Sequence, residues 1–165
     1  MAIKNLTDVL QEELRDLLSA EKQLLRALPK MAKKSSSAEL KEAFETHRAQ
    51  TQEHVTRLEE AFAMLDKKPR AKACKAMQGL IEEGEEMMEE DAEPEAMDAM
   101  LIAAAQKIEH YEIASYGAVC AWAKTLGLNE MKELLGQTLE EEKVTDENLT
   151  GLALSINTQA ADEEE

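Results

Sequence analysis

The stretch "LIAAAQKIEHYEIASYG", residues 101–117, combines an apolar helical stripe with two acidic residues in its middle. Leu101, Ile102 and Ala105 are spaced like the apolar residues of one helix face. Glu109 and Glu112 continue this face, where a helix that packs in a core carries leucine or alanine. An ionised carboxylate buried without a partner is strongly unfavourable, so a further interaction must explain these two acids.

The composition of the whole chain favours an all-α protein. The 165 residues include only three prolines and six glycines, and aromatic residues make up 3%. Helix-forming residues dominate, and no segment alternates apolar and polar residues over any length. The length suits one domain, which we place at residues 1–160, followed by an acidic tail at 161–165 that we expect to be disordered.

The charge and the two cysteines limit the partners and the compartment. A formal net charge of −16 disfavours nucleic acid and anionic membrane surfaces as partners. Cys74 and Cys120 form neither a CxxC motif nor a zinc-ligand spacing, which indicates a reducing compartment. The N-terminus lacks the features of a signal peptide, and no apolar run is long enough to cross a membrane. We therefore expect a soluble, cytoplasmic protein.

Four long helical patterns and a shorter one follow one another along the chain. The first long pattern begins with Asn5 or Thr7 as N-cap, and Pro29 is expected to kink it or end it locally. The other long patterns cover about 37–65, 95–126 and 129–156, and the short amphipathic segment covers 75–90. The short segment therefore lies in the connection between the second and third long helices. These patterns predict a four-helix bundle.

Each long apolar stripe is interrupted by polar residues near its middle. The interruptions are Glu21 in the first helix, His47, Gln50 and His54 in the second, Glu109 and Glu112 in the third, and Glu142 in the fourth. Glu21 lies 15 residues before the first turn at Ser36, and Glu112 and Glu142 lie 15 residues either side of Gly127. At about 1.5 Å per residue, the polar interruptions of both helical hairpins thus lie roughly 22 Å from the turn along the helix axis. We call this height the polar level of each hairpin.

The connection at residues 66–94 is long enough to run the length of a bundle about 42 Å tall. The two turns then lie at opposite ends, and the two polar levels coincide at the centre. Four carboxylates and at least one imidazole would share one site, where a bound cation is the simplest neutraliser. Each group taken alone also has a simpler explanation. Glu21 could lie at the edge of the bundle and reach water, His47 could be a core histidine with its hydrogen bonds made, and Glu109 and Glu112 could lie on a solvent-exposed helix face. The coincidence of all four levels favours the metal site.

The quoted stretch and four others resemble the YciF-like stress proteins, a bacterial branch of the ferritin-like superfamily. The four others are "DLLSAEKQLLRALPKMA" (16–32), "EAFETHRAQT" (42–51), "CKAMQGLIEEGEE" (74–86) and "TLEEEKVTDENL" (138–149). The resemblance implies a four-helix bundle with a long crossover between the second and third long helices, and a dinuclear iron or manganese site at mid-bundle. The chain departs from the usual pattern at Gln50 and Thr145, where glutamate and histidine would be typical.

By that resemblance, the proposed metal ligands are Glu21, His47, Glu109, Glu112 and Glu142, with Gln50 as a ligand through its carbonyl oxygen or as an outer neighbour. The alternative candidate ligands are His54, Glu53 and Asp146. His110 is expected to point away from the site. Tyr116 is expected to hydrogen-bond a ligand, to be a redox-active neighbour, or to be a plain core tyrosine.

Mostly oxygen ligands with imidazole suit iron or manganese better than zinc or copper(I). Two such ions could bind and reduce O₂ or peroxide. Together with the resemblance, which implies a role in the stress response, this leads us to expect a stress-response protein whose reaction, if it is an enzyme, is that of a di-metal oxidoreductase. The alternatives are a non-catalytic helical protein whose metal is structural or absent, and, less favoured, an iron-storage cage. A homodimer is the expected assembly.

Overall fold

The structure, a computed structural model, describes residues 2–161 and contains five helices. They are α1 (Leu6–Lys34), α2 (Ala38–Met64), α3 (Lys75–Met88), α4 (Pro94–Thr125) and α5 (Asn129–Ala161). The described residues contain no strand, which confirms the all-α prediction. The predicted acidic tail lies outside the described residues from 162 onward. No described helix is apolar enough over 18 residues to cross a membrane.

The helices begin and end where the local sequence supplies caps. The backbone N–H of Asp8 donates to Oδ1 of Asn5 (3.0 Å), so Asn5 is the N-cap of α1. After α4, Gly127 has the left-handed φ of 72° that favours glycine, and the N–H of Leu128 donates back to Ala123. The expectation that Pro29 ends the first helix locally is wrong, because α1 continues through it to Lys34.

The four long helices form an antiparallel bundle. Helix α1 packs against α2 and α4, α5 packs against α2 and α4, and α3 lies on α1 and α4. Asp98, in the first turns of α4, accepts hydrogen bonds from the N–H groups of Ser36 and Ser37 (2.8 and 2.7 Å), so α4 starts beside the α1–α2 turn. Leu126 packs with the apolar cluster that contains Leu10, at the other end. The predicted long crossover between α2 and α4, which includes α3, is therefore confirmed.

The core consists of two apolar clusters with a polar layer between them. One cluster lies toward the α1–α2 turn and includes Leu28, Phe44 and Leu101. The other lies toward the α4–α5 turn and includes Leu14 and Phe62. The residues buried in the layer are Glu21, His47, Thr51, His54, Glu109, Glu112, Thr138 and Glu142.

Candidate metal centre

Six ionisable side chains from the four long helices meet in the polar layer. Glu21 comes from α1, His47 and His54 from α2, Glu109 and Glu112 from α4, and Glu142 from α5. None of the six is more than 3% exposed. The pairs on α2 and α4 are spaced by seven and three residues, so each pair lies on one helix face. The bundle therefore brings together all the predicted acids at one level.

The six side chains form two overlapping groups with metal-ligand spacing. In the first group, His47, Glu109, Glu112 and Glu142 each offer one ligand atom, and these atoms lie within 4.8 Å of one another. The second group satisfies the same condition with Glu21, His54 and Glu142. Glu142 belongs to both groups, so its two oxygens could bridge two ions.

The distances show that the two oxygens of Glu142 face different histidines. Oε2 of Glu142 lies 3.6 Å from Nε2 of His47, and Oε1 lies 3.0 Å from Nδ1 of His54. Nε2 of His47 is also 2.9 Å from Oε1 of Glu109, and Nδ1 of His54 is 3.3 Å from Oε1 of Glu21. Glu142 could therefore offer one oxygen to each group.

Eight buried side-chain atoms in this layer have no hydrogen-bond partner. They are Oε2 of Glu21, Nε2 of His47, Nδ1 of His54, Oε2 of Glu109, and both carboxylate oxygens of Glu112 and of Glu142. Several are close to one another without being aligned as donor and acceptor. Across the described residues, every buried side-chain atom of this kind lies in the layer. Carboxylate oxygens and imidazole nitrogens that converge from four helices without aligned hydrogen bonds offer the ligand atoms of a cation site, so these residues fit a metal.

Burial and mutual repulsion favour the protonated form of Glu109, Glu112 and Glu142 by raising their pKa values. Burial, with the neighbouring carboxylates, raises the pKa of Glu109 to about 7 and that of Glu142 to about 8. The pKa of Glu112 is raised well above 4.5 by burial and by Glu142, Glu21 and Glu109. Burial lowers the pKa of His54, but Glu142 and Glu21 outweigh it and raise that pKa to about 11. A metal ion would replace these protons.

An ion pair outside the layer orients His54. Nε2 of His54 lies 2.8 Å from Oε2 of Glu141, and the guanidinium of Arg57 donates to both oxygens of Glu141 (2.8 and 2.9 Å). With its Nε2–H donated to Glu141, the neutral ring turns the Nδ1 lone pair toward Glu21 and Glu142. Carboxylates commonly hold metal-binding histidines in this way.

Tyr116, on α4, contacts the layer through Glu21 of α1. Its buried O–H donates to Oε1 of Glu21 (2.5 Å). Burial, with Glu21 and Glu112 nearby, raises the tyrosine pKa well above 10, so the hydroxyl keeps its proton. The expectation that this tyrosine hydrogen-bonds a candidate ligand agrees with the structure.

The remaining predicted residues lie around the layer or away from it. Gln50 is half-buried and lines a cavity beside His47 and Glu109. The sequence predicted His54 and Glu53 only as alternative ligands. His54 is fully buried in the polar layer, whereas Glu53 is exposed.

Two further sequence-predicted residues lie outside both groups. Asp146 is half-buried, and its Oδ2 lies 3.1 Å from Nε2 of the exposed His110. His110 therefore points away from the centre, as its position next to Glu109 predicts. Sequence reasoning missed Glu141 and Arg57, and their only signal was opposite charge on two helices whose pairing was unknown.

The chain has relatives among known proteins over nearly its whole length. A family described as a domain of unknown function, DUF892, matches residues 5–162. Protein YciF of Escherichia coli strain K12 is 46% identical over 156 residues, which cover 94% of each chain. The crystal structure of the E. coli stress protein YciF has a TM-score of 0.91 at 44% identity, covering 94% of this chain and 99% of that one.

Two further solved structures have the same architecture. YcfI from Rhodopseudomonas palustris has a TM-score of 0.88 at 38% identity, covering 90% of this chain and 94% of that one. A ferritin-like, diiron-carboxylate protein from Bacillus anthracis strain Ames has a TM-score of 0.71 at 20% identity, covering 92% and 99%. The second likeness shows a shared fold. The chain therefore belongs to the DUF892 family, is a relative of the E. coli stress protein YciF, and has the ferritin-like fold.

Proposed function

We propose that the polar layer binds two divalent metal ions, iron or manganese, and that the resulting centre reacts with O₂ or peroxide during stress. The observation that carries this proposal is the set of eight buried, unpartnered nitrogen and oxygen atoms from four helices. A buried polar atom without a partner costs about 1–3 kcal/mol, so a protein retains such a set only for a purpose.

The two overlapping groups divide the ligands between two metal positions. His47, Glu109 and Glu112 would hold the first ion, Glu21 and His54 the second, and Glu142 would bridge the two. Gln50, in the wall beside His47, is an outer ligand or neighbour of the first ion.

The chemical nature of these ligands bears on the metal's identity. A set of carboxylates with two imidazoles and no thiolate favours iron or manganese. The diiron-carboxylate protein of B. anthracis, named for such a centre, supports this choice through its fold.

The bound ions would supply two electrons, enough to reduce one peroxide to water with two protons. The protein's own residues would position the ligands. Arg57 and Glu141 hold the His54 ring, and the Tyr116 hydroxyl hydrogen-bonds Glu21. The apolar clusters close the layer toward both ends of the bundle.

Metal analysis of anaerobically purified protein, followed by Fe²⁺ titration and an assay of peroxide consumption, tests this function. We expect about two ions per chain and peroxide consumption that depends on Fe²⁺. The Glu112→Ala variant should lose both, whereas Glu133→Ala, an exposed residue on α5, should retain both. Peroxide consumption that is unchanged in Glu112→Ala would reject the proposal, as would wild-type protein that binds no metal at saturation.

One observation favours a second function, a non-catalytic bundle that binds other proteins and needs no metal. A protonated His54 lies within 3.3 Å of Glu21 and Glu142, so protons and this imidazolium could neutralise the layer. A wild-type protein that folds and assembles at neutral pH, but takes up no metal, would support this second function.

Homodimerisation and a cytoplasmic location stay predictions of the proposed function. Multi-angle light scattering tests the first: a dimer agrees with it, and a 12-mer or 24-mer would favour iron storage. Fractionation of bacterial cells tests the second.

A further inference from the structure

A cavity of about 280 Å³ lies beside the polar layer, between α1, α2, α4 and α5. Its apolar walls include Leu24, Leu28, Phe44, Ala105, Ile108 and Leu149. An apolar cavity of about 150 Å³ holds one benzene molecule, so this cavity has room for a molecule of one or two rings. Pockets that bind small molecules combine such apolar walls with a few polar groups.

The polar groups of the cavity belong to the candidate metal centre. His47 and Glu109, which are ligands of the proposed first metal position, line one end of the cavity together with Gln50 and Thr145. The exposed residues Glu39, Glu42, Val144 and Asn148 line it as well, so the cavity opens to solvent. A molecule inside it would therefore lie between solvent and the first metal position.

The charges around the cavity select against anions. Glu39, Glu42 and Glu109 line it, and no lysine or arginine of the described residues does. An anionic ligand would enter against these carboxylates without a cationic partner, whereas a neutral or positively charged group would not.

We propose that this cavity binds a small, largely apolar organic molecule of one or two rings that carries an uncharged or cationic polar group. The binding itself requires only the cavity. That the molecule is a substrate of the metal centre rests on the proposed function.

Isothermal titration of the metal-free protein with tryptamine and with indole-3-acetate tests the proposal. The two probes have similar size and opposite charge. We expect tryptamine to bind at least about tenfold more tightly, at an ionic strength of about 0.15 M that screens the acidic surface. Binding of neither probe, or equal binding of both, would overturn the proposal.

Three variants separate the cavity from the acidic surface. Ala105→Phe fills the cavity from α4 and Ala43→Phe fills it from α2, and each should weaken tryptamine binding at least about tenfold. Ala49→Phe, on the exposed face of α2, is the matched control and should leave the affinity unchanged. If Ala105→Phe does not fold, Ala43→Phe decides, because residue 43 is only half-buried. Tryptamine binding that survives both filling variants would reject the cavity as the site.

A separate Fe²⁺ titration of the same wild-type preparation distinguishes the two proposals. Tryptamine binding without metal uptake would keep the cavity and reject the metal centre. Metal uptake without tryptamine binding would keep the centre and reject the cavity.

Discussion

Replacement of Glu112 by glutamine isolates the effect of buried charge in the polar layer. Glu112 is fully buried, neither of its oxygens has a hydrogen-bond partner, and burial with three neighbouring carboxylates raises its pKa well above 4.5. Glutamine has nearly the same shape but is neutral at every pH. The variant therefore removes the ionisable group while keeping the packing.

We expect Glu112→Gln to stabilise the metal-free protein, by an amount that grows with pH. When the folded pKa of an acid lies above its unfolded value, the folded state binds more protons. The contribution of that acid to stability therefore falls as pH rises from the unfolded pKa through the folded pKa. Glu109 in the same layer gives the scale, since a pKa raised from 4.5 to about 7 corresponds to about 3 kcal/mol. In a chain of this length, that free energy changes Tm by about 6–12 °C.

Thermal unfolding followed by circular dichroism, at pH 5 and pH 8 with a chelator, measures this effect. The Tm difference should be small at pH 5 and clearly larger at pH 8, because burial and the neighbouring carboxylates raise the pKa of Glu112 well above 4.5 in the folded state only. Mn²⁺ at about 1,000 times its Kd should then reverse the order of stability, because it stabilises the protein that binds it by about 4.1 kcal/mol, which exceeds the advantage of about 3 kcal/mol expected for the variant. Glu133→Gln removes one exposed charge from α5 and controls for the acidic surface.

Two results would refute this reasoning. One is a Glu112→Gln variant that melts at or below the wild-type temperature at pH 8 without metal, because the buried carboxylates would then not oppose one another. The other is equal stabilisation of both proteins by Mn²⁺, because Glu112 would then not be a ligand.

Three further outcomes follow from other parts of the structure. Glu141→Ala should lower metal affinity about 10–100-fold, because the His54 ring loses the carboxylate that orients it. Competition with a chromogenic chelator measures this affinity, and an unchanged affinity would show that Glu141 does not orient a metal ligand. Metal binding at pH 7 should release at least about one proton per chain, because burial and Glu109 raise the pKa of Glu142 to about 8. Calorimetric titration in two buffers of different ionisation enthalpy detects the released proton. A binding heat that is the same in both buffers would contradict this prediction. Asp98→Ala should cost about 1–3 kcal/mol in urea unfolding without affecting metal binding, because the backbone N–H groups of Ser36 and Ser37 lose a charged acceptor. Unchanged stability would show that this contact contributes nothing.

The polar layer was predictable because helical geometry is regular. Glu21, Glu112 and Glu142 each lie 15 residues from a turn, and a constant rise per residue converts equal spacing into equal height. The remaining assumption was that the crossover places the two turns at opposite ends, and the contact of Asp98 with Ser36 and Ser37 shows that it does.

The central role of His54 was harder to predict. His54 lies seven residues after His47, so both lie on one face of α2, but the usual ferritin-like pattern places glutamate and histidine three residues apart. The orientation of its ring depends on Glu141 and Arg57, which come from α5 and α2. Such a pairing depends on how helices are rotated against each other, and one sequence does not specify that rotation.

Pro29 shows a competition between a local signal and packing. Proline removes one backbone hydrogen bond, which predicts an end or a kink. The helix nevertheless continues to Lys34, because Leu28, Met31 and Ala32 on either side of the proline are buried in the cluster at this end of the bundle. Apolar burial of three side chains outweighs one lost hydrogen bond.

The two apolar clusters also explain how the layer is held in place without a metal. Each end of the bundle has its own apolar core, so folding does not need an ion to bring the four helices together. If the layer binds metal as proposed, its side chains should therefore be positioned before the ion binds, in contrast to small metal-folded domains whose chain is disordered without the ion. A preformed centre requires little ordering when it binds an ion, and most of the binding energy is then available for affinity. Removal of the ion should accordingly lower Tm by several degrees while the helical circular dichroism signal at low temperature remains unchanged. Loss of that signal in chelator at pH 7 would show instead that the ion holds the bundle together.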